Sequence, residues 1–309
     1  MSALRQHEPE LHEPKVADPR LRDLTFADWR AIVVRAGKEF LDDNAMMLAS
    51  ALAYSSFFAI PSVLLVVVGL FTLVAGPSTI TALMHHFGHV MPAQATSLLG
   101  SSLHRLDAHP AQSIAMIAIG FVLAVWSTTG AMTSFMAAIN IVYERKDRRT
   151  FVRKRVVALK MAVAIGIAFL LVAVFLMFGP PIEHLVAGHA GRAGGVVAWA
   201  WWIAQWPVLV FGLLAAFAAL LYLGPDIDRP RWEFFTPGSV IATLLWLAAS
   251  GLFAVYTATF ASYNKTWGSL SAVIVMLSWL WLSAMALLLG AEINAEVQRS
   301  RRLRSVSSA

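Results

Sequence analysis

Residues 45–75 read AMMLASALAYSSFFAIPSVLLVVVGLFTLVA and contain no charged side chain. A helix of about 20 apolar residues is long enough to cross the hydrocarbon core of a bilayer. No Asp, Glu, Lys or Arg occurs from Ala45 to Leu103, and the stretch lacks the apolar–polar alternation of a half-buried strand. This stretch therefore predicts a membrane-spanning helix, and Pro61 within it predicts a kink.

The composition of the whole chain agrees with this interpretation. Of its 309 residues 58% are apolar, the mean hydropathy is +0.67 and only 14% are charged, against about 25% in soluble domains. Five more apolar stretches are long enough to span a bilayer: 111–142, 156–178, 196–223, 237–260 and 269–291. The sequence predicts an all-α integral membrane protein, a bundle of six transmembrane helices within residues 44–297.

The regions outside the predicted spans are polar. Residues 1–24 predict a disordered cytosolic tail, and residues 298–309 predict a basic cytosolic tail. Residues 25–43 predict an amphipathic helix, which either lies at the membrane interface or packs on the protein's own cytosolic loops. Its start resembles a capping box of Thr25 and Asp28. Its apolar stripe is Phe26, Trp29, Val33, Ala36 and Phe40.

The positions of the Lys and Arg residues predict the orientation. Seven precede the first span, seven follow the second, two follow the fourth and four follow the sixth. The alternate connections carry only Arg105, Arg192 and Lys265. This bias predicts that both termini are cytosolic. It also accounts for the net charge of +6, so no specific nucleic-acid partner is expected.

Small polar residues are the candidates for function inside the predicted spans. They favour either close helix packing or a weakly polar cleft for a neutral or amphipathic substrate. Glu292 ends the last span, and a buried carboxylate there needs a partner. That partner is either a basic residue after the second span, in a structural ion pair, or a substrate. The candidate substrate path comprises Ser55, Ser56, Pro61, Thr128, Thr129, Asn140, Ser250 and Glu292.

Metal or catalytic chemistry has few candidates. His85 and His89 are four residues apart, as two ligands on one helix face would be, although solvated loop histidines have the same pattern. Asp226 and Asp228, together with Glu233, could hold a metal for phosphodiester cleavage. The chain has no cysteine, which excludes disulfides and thiolate sites. No cofactor is expected, and no catalytic residue is identified.

Dispersed motifs resemble those of the YihY/BrkB family of bacterial inner-membrane proteins. They are ALAYSSFFAIPSVLL (51–65), Trp126, Gly130, Asn140, Tyr143, Arg149, Phe151, Arg155, LYLGPDIDRPRW (221–232), TPGSVIATLLW (236–246), WGSLSAVIVMLSWLW (267–281) and LLLGAEIN (287–294). The resemblance implies six helices in the bacterial inner membrane. The family carries an old "ribonuclease BN" label and a virulence-factor label, and neither implies catalytic residues.

Three functions follow as hypotheses. The first is transport or lipid handling, which rests on the uncharged spans with their small polar residues. The second is a membrane-anchored ribonuclease or tRNA-processing enzyme, which rests on the family label. The third is a structural membrane scaffold without a substrate path. The expected partners are the lipid bilayer and, for the first hypothesis, a small-molecule or lipid substrate.

Overall fold

The computed structural model describes residues 25–74, 110–189, 194–227, 236–259 and 269–307. The predicted tail 1–24 and the candidates His85 and His89 lie outside these residues. The described residues form seven helices: α1 (Phe26–Asp42), α2 (Ala45–Val74), α3 (Pro110–Val142), α4 (Phe151–His189), α5 (Gly194–Leu223), α6 (Pro237–Thr259) and α7 (Ser269–Ser307). Six of them, α2 to α7, are long and apolar enough to cross a membrane. The predicted fold class is confirmed.

Two helices are longer than their predicted spans. Helix α4 begins at Phe151 and runs through Gly179-Pro180-Pro181 to His189, beyond the predicted end of the span at residue 178. Membrane helices tolerate proline because neighbouring groups satisfy the freed backbone atoms. Helix α7 continues past residue 291 to Ser307, so the basic tail is helical over most of its length. This extension contains no glycine or proline, and its Ile293 and Val297 are buried.

Helix α1 begins with the predicted cap, but its buried face differs from the predicted stripe. The Asp28 backbone N–H donates to Thr25 Oγ1, and the Thr25 N–H donates to Asp28 Oδ2 at 2.7 Å. The buried residues are Ile32, Ala36 and Phe40. The stripe residues Phe26 and Val33 are 87% and 52% exposed, so they do not share the face that packs on the rest of the protein. Because residues 32–34 are all apolar, the sequence does not show which of them lie on the buried face of the helix.

The buried face of α1 packs against α7 rather than against loops. Ile32 and Ala36 form a small cluster with Ile293 and Val297. Next to it, Arg35 Nε donates to Glu296 Oε2 at 2.6 Å and Arg35 Nη2 donates to Ser300 Oγ at 2.9 Å. Helix α1 is thereby fixed to the C-terminal half of α7. Whether its exposed face touches lipid stays a prediction.

The six apolar helices form a closed ring in chain order. Each of α2 to α7 contacts the next, α7 also contacts α2, and α3 reaches across to α5 and α7. The core is built of small and branched residues such as Ala45, Ala49, Leu52, Leu287 and Leu288. The outer surface is apolar, with Leu252 73% and Val122 65% exposed. A surface of this kind is stable in lipid and would aggregate in water.

One end of the ring gathers the described charged groups, and we call it the basic end. It comprises α1, the connection 143–150, the α5 terminus at 224–227 and the C-terminal turns of α7. Two non-glycine residues have positive φ here, Asn44 at 53° between α1 and α2 and Glu144 at 51° after α3. Both angles allow the chain to leave a helix sharply.

The crossing of α6 and α7 at this end depends on two glycines. A Cβ atom on Gly290 would lie 2.5 Å from the Gly238 carbonyl oxygen, and one on Gly238 would overlap the Gly290 carbonyl oxygen. Asn294 completes the contact, since its Oδ1 accepts from the Gly238 N–H at 2.8 Å and its Nδ2 donates to Thr236 Oγ1 at 3.0 Å. These bonds satisfy the first turn of α6 from a neighbouring helix.

We expect Gly238→Ala to destabilise the protein because its methyl group must push α6 away from α7. Overpacking of this kind costs about 1–3 kcal/mol, which should appear as a lower melting temperature in detergent. The matched control is Gly251→Ala in the same helix, where nothing lies within 4 Å of the added Cβ. Equal melting temperatures for the two variants would contradict the close crossing.

Candidate functional site

The predicted polar residues inside the spans mostly make contacts between or within helices. Ser55 Oγ donates to Ser134 Oγ at 3.3 Å, which joins α2 to α3. Trp279 Nε1 donates to Ser250 Oγ at 3.2 Å, which joins α7 to α6. Ser56 and Thr128 are half-buried, and Pro61 lies inside α2 as predicted. The geometry of these residues fits the packing interpretation, and their place in a substrate path stays a prediction.

Asn140 is a buried connector between α3 and the end of α5. Only 3% of the residue is exposed. Its Nδ2 donates to the carbonyl oxygens of Met136 at 2.7 Å and Gly224 at 3.4 Å, and its Oδ1 accepts from the Asp226 N–H at 2.8 Å. Every polar atom of the amide is therefore used, which explains why an apolar residue would not serve here.

Arg149 adds to this connection and forms an ion pair with Asp226. The guanidinium donates to Asp226 Oδ1 at 3.1 Å, to the Gly224 carbonyl at 3.1 Å and to the Pro225 carbonyl at 2.5 Å. The Arg148 N–H donates to Asp226 Oδ2 at 2.9 Å. Both oxygens of Asp226 are thus engaged in holding the connection 143–150. Asp228 and Glu233, its proposed metal-binding companions, lie outside the described residues.

A cavity of about 270 Å³ lies at the basic end between α3 and the start of α4. One face of α3 forms its wall, and the connection and α4 contribute charged groups at its mouth. Lys154 Nζ lies 3.1 Å from Asp147 Oδ2, whereas Arg145 is exposed and has no ion pair among the described residues. The lining residues are Thr133, Met136, Ala137, Asn140, Ile141, Arg145, Asp147 and Lys154.

Arg155 lies deeper along the same side of α3. Its Nη1 donates to Thr129 Oγ1 at 2.9 Å, and its guanidinium carbon lies 4.3 Å above the Trp126 ring and 5.4 Å from the Phe151 ring. The Nε atom is buried and has no hydrogen-bond partner. No carboxylate pairs with Arg155 among the described residues, and its charge is stabilised by the aromatic faces, by Thr129 and by the Trp126 carbonyl oxygen, to which Nη1 also donates at 3.4 Å.

Glu292 lies on the other side of the α3 terminus and lacks the predicted ion pair. Only 2% of the residue is exposed, and within the described part of the chain its Oε1 has no hydrogen-bond partner. Arg149, from the basic connection after α3, is turned towards Asp226 instead. The charged groups that act on Glu292 are themselves acidic: Asp43, Glu39, Glu296 and Glu144. Helix α7 thus carries a buried carboxyl group with no basic partner among the described residues.

The neighbouring Asp43, in the turn between α1 and α2, shares this acidic environment. Burial raises the pKa of the Asp43 carboxyl above its usual value, and the charges of Glu39, Glu144 and Asp42 add to that effect. Tyr143, beside Glu144, is partly buried against the main hydrophobic core. We call Glu39, Asp43, Glu144, Glu292 and Glu296 the acidic cluster. Within the described residues, no group of three or more His, Asp or Glu has an arrangement that could hold a metal ion.

Two features of this end escaped the sequence analysis. The cavity joins residues of α3 to Arg145 and Lys154, and a pattern along one helix does not show which basic residues face it. The acidic cluster draws from α1, the α1–α2 turn, the end of α3 and α7. The signal available in the sequence was Glu292 itself, a carboxylate that directly follows a long apolar run.

Comparison with known proteins places the chain among bacterial membrane proteins. The ribonuclease-like protein YfkH of Bacillus subtilis is 30% identical over 212 residues, 69% of this chain and 76% of the relative. A UPF0761 membrane protein of Chromohalobacter salexigens is 26% identical over 286 residues, 89% of this chain and 66% of the relative. The chain therefore spans slightly less than two thirds of that second relative. No solved structure matches it.

The family comparison covers nearly every element described above. The model of the family described as virulence factor BrkB matches residues 36–308. That range extends from the middle of α1 through the whole ring to the end of α7, and it includes the cavity and the whole acidic cluster. The chain is therefore a multi-pass membrane protein that belongs to the BrkB family.

Proposed function

We propose that this protein binds and moves, or otherwise handles, an anionic lipid-like amphiphile through the cavity between α3 and α4. The cavity is the observation that carries the proposal. It combines an apolar wall, including Met136, Ala137 and Ile141, with charged groups at one end. An amphiphile has the same division between an acyl chain and a polar headgroup.

The position of the cavity suits a ligand that comes from the bilayer. Ile141, on its wall, is 47% exposed, so the cavity reaches the outer surface of the ring. Its charged mouth lies where α3 ends and the basic connection begins, which is the depth of lipid headgroups if α3 spans the bilayer. Arg145 lacks an ion pair within the described chain, and Lys154 is paired with only one carboxylate. The balance of charge favours an anionic headgroup.

Orientation in the bacterial inner membrane, with both termini cytosolic, is part of the proposal. The basic end then faces the cytosol, in agreement with the bias of Lys and Arg. The cavity would open towards the cytosolic leaflet, which carries anionic lipids.

The orientation predicts the accessibility of single cysteines, which the cysteine-free chain allows without further changes. A cysteine replacing Lys146 should react with a membrane-impermeant thiol reagent only in inverted vesicles. A cysteine replacing Ser102 should react only in whole cells. Reaction of both positions from the same side would contradict the topology.

The cavity predicts selective contact with lipid. A photoreactive group attached to a cysteine at Ala137 should crosslink to copurified lipid with a definite headgroup, identified by mass spectrometry. The matched control is a cysteine at Leu252, which lies on the exposed surface of α6 and should crosslink without headgroup preference. Similar lipid mixtures at both positions would contradict the proposal and favour the scaffold hypothesis.

The charged mouth predicts a preference that one residue controls. Arg145→Gln should lower the ratio of anionic to zwitterionic lipid crosslinked at position 137 by about fivefold, since one basic residue near the surface contributes about 1 kcal/mol. The control is Arg153→Gln, because Arg153 is exposed and does not line the cavity. An unchanged ratio for Arg145→Gln would contradict the selection of anionic headgroups by Arg145. It would not contradict the binding of lipid in the cavity.

A further inference from the structure

Two glutamates one turn apart on α7 have opposite environments. Glu292 and Glu296 are 2% and 4% exposed, so water solvates neither of them fully. Glu296 accepts from Arg35 Nε at 2.6 Å and from Arg299 Nη1 at 3.3 Å. Among the described residues, Glu292 Oε1 has no hydrogen-bond partner. Glu296 is therefore a buried carboxylate with two basic partners. Glu292, beside it, is a buried carboxyl group with no basic partner among the described residues.

The elements packed around Glu292 supply negative charge. Helix α1 contributes Glu39, the α1–α2 turn contributes Asp43 and the end of α3 contributes Glu144. Helices α2 and α6 carry no charged residue over 45–74 and 237–259. The nearby basic residues Arg35 and Arg299 are engaged by Glu296, and Arg299 also lies 3.8 Å from Glu39.

An ionised Glu292 would combine loss of solvation with repulsion from its neighbours, and both effects disfavour the charged form of a carboxyl group. Either a metal cation or a proton could neutralise it. A bound metal needs several oxygen ligands around one point, and the described residues offer no such arrangement. A proton needs no further ligand.

We propose that Glu292 is a proton-binding site at the basic end of the ring. The proton resides on the carboxyl group of Glu292 while Glu296, one turn away, stays ionised. This inference is independent of the lipid proposal, because neither Glu292 nor Glu296 lines the cavity. If the protein transports its ligand, Glu292 is the group through which proton movement would be coupled to that transport.

Release of the proton has a structural consequence. It would place another negative charge among Glu39, Asp43, Glu144 and Glu296. The contact between α1 and α7, where Ile32 and Ala36 pack on Ile293 and Val297, is the interface next to this charge. Deprotonation would therefore weaken the attachment of α1 to α7, and protonation would restore it.

Infrared spectroscopy of the full-length protein in lipid vesicles tests the proposal directly. A protonated carboxylic acid has a carbonyl stretch that ionised carboxylates lack, and this band shifts in deuterated water. We expect the band at neutral pH in the wild type and its loss in Glu292→Gln. The matched control Glu296→Gln should keep the band, because Glu296 is ionised and paired. Labelling with ¹³C-glutamate should shift the band in the wild type, which assigns it to Glu without any substitution.

Several results would overturn the inference. One is a wild-type spectrum without the acid band. Another is a band that survives Glu292→Gln or that glutamate labelling does not shift. A carboxylate band that responds to added Ca²⁺ or Na⁺ would assign the site to a metal cation. Failure of Glu292→Gln to fold would also contradict the proposal, because a neutral amide of the same shape should replace a neutral acid.

Discussion

The exclusion of charge from the hydrocarbon layer determines how this molecule is built. A backbone in lipid must satisfy its own polar groups, which imposes helices, and an isolated charge in that layer is costly. Charge is therefore absent from long stretches such as α2 and α6 and concentrated in the connections. The ring closes through small side chains, most closely at Gly238 and Gly290, where two helix backbones touch. Close crossing at this end brings the termini of several helices together and crowds their charges into a small volume.

The crowded charges fall into two groups. Some are compensated and hold the structure: Arg149 with Asp226 fixes the connection after α3, and Arg35 with Glu296 fixes α1 to α7. Others, namely Arg145, Arg155 and Glu292, have no ion pair among the described residues. Arg145 is exposed, whereas Arg155 and Glu292 are at least partly buried, and a buried group without a counter-charge reduces stability. Their presence at two neighbouring places, on opposite sides of the α3 terminus, is a reason to look for ligands there.

The sequence predicted the helices well and the site poorly, for different physical reasons. Apolar length is a local property, so six spans could be located, and positions such as Ala45 and Val142 coincide with helix ends. The predicted helix bounds were wrong where contacts between helices determine how far a helix extends. Helix α7 is an example, because α1 packs on its C-terminal extension. In α1 Ile32 is buried against α7 while Val33 is exposed, because only packing selects between two adjacent apolar residues. Glu292 was recognised as a buried carboxyl group. Of the two alternatives for its partner, an ion pair with a basic residue after the second span is absent among the described residues, and Arg149 from that set binds Asp226 instead.

The end of α3 connects the two proposed sites. Asn140 lines the cavity, and Tyr143 and Glu144 follow it within one turn, beside Asn294 and the acidic cluster. Glu144 has a positive φ, so the chain reverses direction at the point where the two sites meet. Coupling between sites requires an element that both can bias. A charge that appears on Glu292 repels Glu144, and displacement of Glu144 acts on the connection that carries Arg145 into the cavity mouth. Ligand binding at the cavity and proton binding at Glu292 would then influence each other equally, as linkage requires of any two coupled equilibria.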